Sequence, residues 1–336
     1  MRVKVFIGRF QPFHSEHKRL VDYALSSADK VILLIGSSFQ PRTIKNPWTY
    51  AERRNMILAN YPNEHLNPTK LFVFPLTDSI YNNQKWAARV QRIVVDNTRE
   101  GDTVEIIGHA KDDSSFYLDL FPQWFRVDHQ MSNNVNASDI REMYFSEVSE
   151  MLYSGALPNS TSASLARFKK TDEYQVLMRE ANVIRDYKKS WEAAPYPPIF
   201  VTTDAVVVQS GHVLLVKRKA APGEGQWALP GGFLNQNERI EDGMIRELRE
   251  ETRLKVPGPV LKGSIVYRHV FDHPKRSLRG RTITHAFLIQ LPAGELPKVQ
   301  GAEDAVKAAW IPIGSINSQK MFEDHLDIIT YLLGSV

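Results

Sequence analysis

The chain has 336 residues, 43% of them hydrophobic, which is apolar material for two cores and suggests about two domains. It contains no cysteine, so disulfides, thiolate metal sites and cysteine nucleophiles are excluded. A net charge of +4 suits anionic ligands without the dense Lys/Arg patches of a nucleic-acid binder. No apolar run approaches a bilayer span and no signal-type segment is present, so a cytoplasmic protein with no membrane or nucleic-acid partner is expected.

In chain order, Val3–Ile7 reads as a short apolar strand closed by Gly8, followed by a helix over Ser15–Ala28. Val31–Ile35 is a second buried strand, closed by Gly36. A helix at Tyr50–Ala59, a strand at Leu71–Pro75, a helix at Gln84–Asn97 and a strand at Val104–Ile107 follow. Apolar strands alternating with helices predict a doubly wound parallel sheet, with ligands at the carboxyl ends of its strands. A polar helix to about Ala194 comes next, and Tyr196-Pro-Pro198 ends it. The expected division is therefore 1–170, a helical and proline-containing linker at 171–197, and a second domain at 198–336. In that domain, strands are expected at Phe200–Val208, Val213–Val216, Gly263–Val270, Thr282–Gln290 and Ala308–Ile311, with a closing helix at Phe322–Leu333.

The ligand edge of the first domain carries Gly8-Arg-Phe-Gln-Pro-Phe-His-Ser-Glu-His17. His14 and His17 are three residues apart near a helix start, where ring N–H donors can face a polyphosphate. Zinc binding is the rival reading of such a pair, and no HExxH motif or cysteine supports it. Downstream, Asn136-Ala-Ser-Asp-Ile-Arg141 offers a Ser cap with N–H donors and an Arg able to grip two phosphate oxygens.

In the second domain, Trp227-Ala-Leu-Pro-Gly-Gly-Phe233 precedes a helix with Glu247, Glu250 and Glu251 on one face. Three carboxylates in that register repel one another and are the oxygen donors that Mg²⁺ or Mn²⁺ prefers. A solvated acidic face, with Arg246 and Arg249 pairing to neighbouring glutamates, is the alternative. The loop Phe271–Arg281 adds cations, and Glu303 and Asp304 are candidates for a base.

These motifs carry two resemblances. The first domain resembles the (H/T)xGH nucleotidyltransferase superfamily, with Glu16 at the family's glycine and Ser138 and Arg141 matching its second signature. Within it, Gly36-Ser-Ser38, Pro41–Arg53, Asn82–Trp86 and Gly108–Tyr117 look like archaeal-type nicotinamide mononucleotide adenylyltransferases. That resemblance implies adenylyl transfer from ATP to nicotinamide mononucleotide, giving NAD. It places Gly8, Arg9, Phe10, His14, His17, Gly108, Ser138 and Arg141 at ATP, and Ser37, Asn83 and Trp86 at the mononucleotide. Core packing is the alternative for Trp86, and helix capping for Asp112 and Asp113. Glu16 would put bulk and negative charge near the triphosphate.

The second domain is similar to a Nudix hydrolase, whose box runs from Gly232 through Arg246-Glu247 to Glu250-Glu251, with Arg253 where the pattern has glycine. The resemblance implies an α/β/α sandwich and metal-dependent hydrolysis of ADP-ribose to AMP and ribose 5-phosphate. It places Glu238, Glu247, Glu250 and Glu251 at the metal, with Mg²⁺ expected and Mn²⁺ as the alternative. Glu250 and Glu251 are expected to be catalytic, as are His14, His17 and Arg141 in the first domain. Trp227, Gly231, Gly232, Phe271, Arg276 and Arg279 would meet ADP-ribose, with burial the alternative for Trp227 and Phe271. Together the resemblances imply a bifunctional enzyme, compatible with a homo-oligomer. The alternatives are a chain in which only the hydrolase is active and a Nudix-based ADP-ribose-sensing regulator.

Overall fold

The computed structural model describes residues 1–66, 68–108, 113–129, 135–146 and 155–334. The chain divides into two compact units, Met1–Met178 and Arg179–Val336.

The first unit is built on β1 (Arg2–Gly8), β2 (Lys30–Ile35), β3 (Leu71–Pro75), β4 (Thr103–Gly108) and β5 (Phe125–Asp128), in the order β3-β2-β1-β4-β5. Every pairing is parallel. Parallel sheets are covered on both faces, which is why β2 is a continuous apolar run after Lys30 and β1 is apolar but for Arg2 and the buried Lys4. Val3, Val5, Ile32, Leu34 and Ile106 pack against Ala87, Val90 and Val94 of a flanking helix. The helices are α1 (Ser15–Ser27), α2 (Tyr50–Leu58), α3 (Pro62–Leu66), α4 (Asn83–Val95), α5 (Ala137–Tyr144) and α6 (Asn159–Phe168). Strand order turns back between β1 and β4, and the crevice at their carboxyl ends is where such sheets hold ligands.

The helix α7 (Asp172–Lys189) contains the division between the units. The stretch expected as a linker is thus largely an ordered helix, and its residues from Arg179 onward belong to the second unit. Ala181 and Ile184 are buried, which gives the helix an inward face despite its polar composition.

The second unit holds β6 (Ile199–Gln209), β7 (His212–Arg218), β8 (Trp227–Ala228), β9 (Gly231–Phe233), β10 (Ile265–Phe271), β11 (Arg281–Gln290) and β12 (Ala305–Pro312). The main path is β10-β11-β6-β7-β12, with β8 on β7 and β9 on β6. β6 pairs with β7 only at Val208–Val213 and Gln209–His212. Beyond that point the two strands part and the short β8 and β9 enter the gap. This opening creates the cavity described below. Helix α8 (Ile240–Thr252) drives Met244, Ile245 and Leu248 into the core against Ala205, Val207 and Leu214. The remaining helices are α9 (Gly258–Gly263) and α10 (His325–Leu333). Among the described residues, no helix is long and apolar enough to cross a membrane.

Candidate active sites

In the first unit, His14 is the N-cap of α1 and His17 lies one turn in. Their rings stack at 3.6 Å, and the His17 Nδ1 accepts the His14 backbone N–H at 3.4 Å. With Nδ1 accepting, a neutral His17 carries its proton on Nε2, the atom able to donate. Phe10 and Phe13 pack on the His17 ring at 4.9 and 5.9 Å and fix its plane.

Three guanidinium groups gather beside this helix start. Arg141 is buried and donates to the Gln11 carbonyl at 2.5 Å, the Ala137 carbonyl at 3.0 Å and the Ser138 hydroxyl at 3.0 Å. Arg53 is 1% exposed and donates to the carbonyls of Arg9, Gly36, Ser37 and Thr49. It therefore clamps the loops after β1 and β2 to the start of α2. Burial first, then the nearby Arg9 charge, pushes Arg141 down to about 10; burial does the same to Arg53, whose pull from Asp78 opposes the shift. Among the described residues, Arg9, Arg53 and Arg141 form no ion pair with a carboxylate. Cations that crowd one another with no carboxylate in direct ion-pair contact are suited to a polyphosphate.

Other expectations for this unit change in detail. Asn136, not Ser138, caps α5: its side chain accepts the Ser138 N–H at 2.9 Å, so that N–H is already used. Glu16 is buried and ion-paired with Arg19 at 2.9 Å, so its charge is compensated by its own helix instead of facing a nucleotide alone. Ser37 donates its hydroxyl to Asp78 at 2.6 Å and its backbone N–H at 3.0 Å. Asn83 is exposed at the first position of α4. Trp86 is half-buried against Tyr117 and Phe121, the core alternative for this residue. Gly8 and Gly108 close β1 and β4, and Phe10 is buried with φ 51°. His109 and Asp112 lie outside the described residues.

In the second unit, a cavity of about 410 Å³ opens between β6 and β7. Glu247 and Glu251 line it, with Gly231, Gly232, Arg276 and Arg279. The two glycines have specific steric causes. A Cβ on Gly231 would lie 2.1 Å from the Thr203 carbonyl, and one on Gly232 would lie 2.6 Å from the Glu247 carboxylate. They let β9 press on β6 and let Glu247 reach the cavity. Glu251 accepts the Gly231 N–H at 3.0 Å and is buried. Burial, joined by the Glu247 and Asp204 charges, pushes its carboxyl up to about 8. Glu247 and the fully enclosed Asp204 are also raised, each mainly by burial.

Arg246 organises the outer carboxylates. It donates to Glu238 at 2.7 and 2.9 Å, to Glu247 at 2.8 Å and to Glu250 at 2.9 Å. The Arg246 bonds hold the Glu238 carboxyl down at about 2. Glu238 faces a separate cavity beside Arg239 and Arg268, and neither it nor Glu250 lines the one containing Glu251. Among the described residues, no three acidic or imidazole groups converge closely enough to hold an ion. Of the four expected carboxylates, Glu238 in the turn before α8 and Glu247 and Glu250 on it are thus gathered around Arg246, and Glu251 stands apart on the Gly231 N–H.

Arg276 forms a buried two-bond ion pair with Asp324, both contacts at 2.9 Å. Arg279 lies over Phe233 at 5.1 Å, and its buried Nε has no acceptor among the described residues. Phe271 corrects an expectation: it is 0% exposed and packs on His269 and Tyr331, so no ligand reaches it. Trp227 is half-buried on β8 and does not line the cavity. Asp304 lines the cavity and Glu303 does not. Sequence reading missed Arg53, Asp78 and Asp204, and also Arg218 and Glu323, which line the cavity. Arg53 is part of a quoted motif, but nothing local marks a residue whose partners come from several distant loops.

Comparison with known proteins fits this two-site arrangement. Residues 5–143 match the Cytidylyltransferase-like family and residues 199–332 the NUDIX domain. A nicotinamide/nicotinic acid mononucleotide adenylyltransferase of Acinetobacter baylyi is 36% identical over 177 residues, 52% of this chain and 91% of that protein. An ADP-ribose pyrophosphatase of Methanocaldococcus jannaschii is 34% identical over 145 residues, 43% of this chain and 78% of that one. A solved bifunctional NMN adenylyltransferase/ADP ribose pyrophosphatase from Francisella tularensis, complexed with AMP and a manganese ion, superposes with a TM-score of 0.92. It is 37% identical and covers 99% of each chain. The chain belongs to this bifunctional NMN adenylyltransferase/ADP-ribose pyrophosphatase family. Family membership accounts for the order of the halves, the parallel sheet first and the NUDIX domain second.

As a NUDIX member, the chain calls for a divalent metal; the carboxylates on and beside α8 are donors of the right chemistry for one, although no three of them converge among the described residues. Burial raises Glu247, Glu251 and Asp204, and the Glu247 and Asp204 charges add to the rise at Glu251, a crowding of carboxylates that a hard cation would relieve. Glu250, bonded to Arg246 at 2.9 Å, lies one turn from Glu247 on the same helix and outside the cavity.

Proposed function

We propose that this bifunctional family member synthesises NAD in its first unit and hydrolyses ADP-ribose in its second. In the first reaction a 5′-phosphate oxygen of nicotinamide mononucleotide bonds to the α-phosphorus of ATP. The bond from that phosphorus to the β-phosphate bridge breaks, and pyrophosphate leaves with the electron pair. No covalent enzyme intermediate is required, so catalysis is positioning and charge neutralisation. His14, His17, Arg9 and Arg141 hold the triphosphate. Arg53 keeps the loops after β1 and β2 in place, and Ser37 and Asn83 receive the mononucleotide. Mg²⁺ accompanies the triphosphate.

In the second reaction a water oxygen bonds to one phosphorus of the ADP-ribose diphosphate and the bridging P–O bond breaks, giving AMP and ribose 5-phosphate. Glu247, Glu250 and Glu251 would hold Mg²⁺ or Mn²⁺, which supplies charge stabilisation and an acidified water when bound. Arg279 presents its N–H groups to a phosphate or ribose oxygen, and Gly231 and Gly232 leave room beside Glu247. Asp304, which lines the cavity, would take the water proton. A cytoplasmic location fits both reactions.

The reading rests above all on one feature, buried carboxylates and a guanidinium whose Nε has no acceptor among the described residues, lining the same cavity, which suits a metal-bound diphosphate. The test is direct. Protein with ATP, Mg²⁺ and nicotinamide mononucleotide should yield NAD. Protein with ADP-ribose and Mg²⁺ or Mn²⁺ should yield AMP and ribose 5-phosphate, and excess chelator should abolish that conversion. Absence of dinucleotide ends the first assignment, and ADP-ribose intact under both metals ends the second.

A further inference from the structure

Helix α7 carries a stripe that phosphate and metal chemistry does not use. Glu180, Val183, Ile184 and Tyr187 recur at helical spacing and share one face. The buried Glu180 carboxylate accepts the Gly223 N–H at 3.2 Å, which ties the helix to the turn after β7. Val183, Ile184 and Tyr187 then line the same cavity as Glu247 and Glu251. The Tyr187 ring is held edge-on by Trp191 at 4.4 Å and tilted against Phe200 at 5.8 Å. Phe200 meets Phe233 at 5.7 Å, and Phe233 carries the Arg279 guanidinium at 5.1 Å. An aromatic series therefore runs from α7 to the residue after Gly232, where Glu247 sits.

The cavity thus has two chemistries. Carboxylates and guanidinium groups suit the diphosphate and its metal. A wall of aliphatic side chains and one phenol ring suits a flat heteroaromatic group, which gains from stacking and from apolar contact at its edges. A volume of about 410 Å³ falls within the range of small-molecule sites, which leaves room for more than a diphosphate.

We propose that α7 forms the nucleobase end of the hydrolase cavity, with Tyr187 as the surface on which the adenine of ADP-ribose packs and Val183 and Ile184 as its apolar edge. This rests on the reading of the second unit as an ADP-ribose pyrophosphatase. The segment joining the two catalytic halves is then a specificity element of the second.

Full-length Tyr187→Leu and Tyr187→Phe variants test it, with adenylyl transfer by the same chains as the folding control. Tyr187→Leu keeps apolar bulk and loses the flat ring. It should raise the KM for ADP-ribose and weaken inhibition by AMP about tenfold, a typical loss for one base–aromatic stack. Inhibition by ribose 5-phosphate and kcat should stay near wild type, and Tyr187→Phe should restore AMP inhibition. A ring with only a structural role would weaken both products together and lower kcat. Unchanged AMP inhibition in Tyr187→Leu, or equal weakening of both products, overturns the proposal. If wild-type protein leaves ADP-ribose intact, the pyrophosphatase reading fails instead. AMP binding by calorimetry then decides the role of Tyr187 without turnover, and equal affinity of wild type and Tyr187→Leu rejects it.

Discussion

His325 lies buried at the start of α10, where its Nδ1 accepts the Leu229 N–H at 2.9 Å. That bond requires an unprotonated Nδ1. Burial, reinforced by the charges of Arg276, Arg218 and Arg279 and opposed by Asp324, pushes the imidazole down to about 3. In the unfolded chain the ring titrates near ~6.5. The folded value is depressed, so the unfolded state binds the extra proton between those limits. The contribution is fully present above pH ~6.5 and is lost as pH falls toward 3, by up to ~1.4 kcal/mol per pH unit. His325→Gln keeps an acceptor for Leu229 without titrating. Between pH 6.5 and 5, urea midpoints of the second unit should fall more steeply in wild type than in His325→Gln; parallel slopes would contradict this. His14, His17, Arg141 and Glu247 stand out in the sequence by their local chemistry, and the structure sets the two histidines together at the start of α1 and Glu247 on the cavity wall. Asp204 and His325 do not stand out, because ordinary residues acquire their shifted acidities only from what folds around them.

At the scale of elements, the end of α8 shows how a pattern departure is absorbed. Arg253 occupies the glycine position of the box and adopts φ 53°, ψ 24°, with its N–H donating to the Arg249 carbonyl at 3.0 Å. The backbone keeps the left-handed cap that glycine would supply, at a steric cost of about 1 kcal/mol for a side chain with a Cβ. Arg253→Gly should therefore stabilise the second unit by up to ~1 kcal/mol, less the greater unfolded-state freedom of glycine. Thermal melts should show a Tm raised by a few degrees with hydrolysis unaltered, and a lowered Tm would show that the arginine side chain contributes what the conformation costs. The long strands and the amphipathic helices were readable because burial imposes a period of two, a continuous apolar run or a helical stripe. β5 was not, since Phe-Arg-Val-Asp is a short, mostly exposed edge strand with two charges. β8 and β9, at two and three residues, depend on pairing with β7 and β6 and carry no periodicity of their own.

At the scale of the molecule, the groups assigned to each reaction lie within one unit. Arg9, His14, His17, Arg53 and Arg141 fall in Met1–Met178, and Glu247, Glu251, Arg279 and the cavity wall from α7 in Arg179–Val336. Two substitutions should therefore separate the activities in opposite directions. His17→Ala removes the Nε2 donor and should lower adenylyl transfer by two orders of magnitude or more, the scale of losing a positioned donor to a transferring phosphoryl group. Its ADP-ribose hydrolysis should equal wild type. Glu251→Gln keeps an oxygen to accept the Gly231 N–H and removes the charge a metal needs. It should lose hydrolysis by a comparable factor while NAD formation continues at the wild-type rate. Equimolar mixing of the two variants should return both activities at half the wild-type rate per total chain. A Glu251→Gln protein that loses NAD synthesis in step with hydrolysis would show that the carboxylate serves the whole chain, and the separation of the two chemistries by unit would not stand.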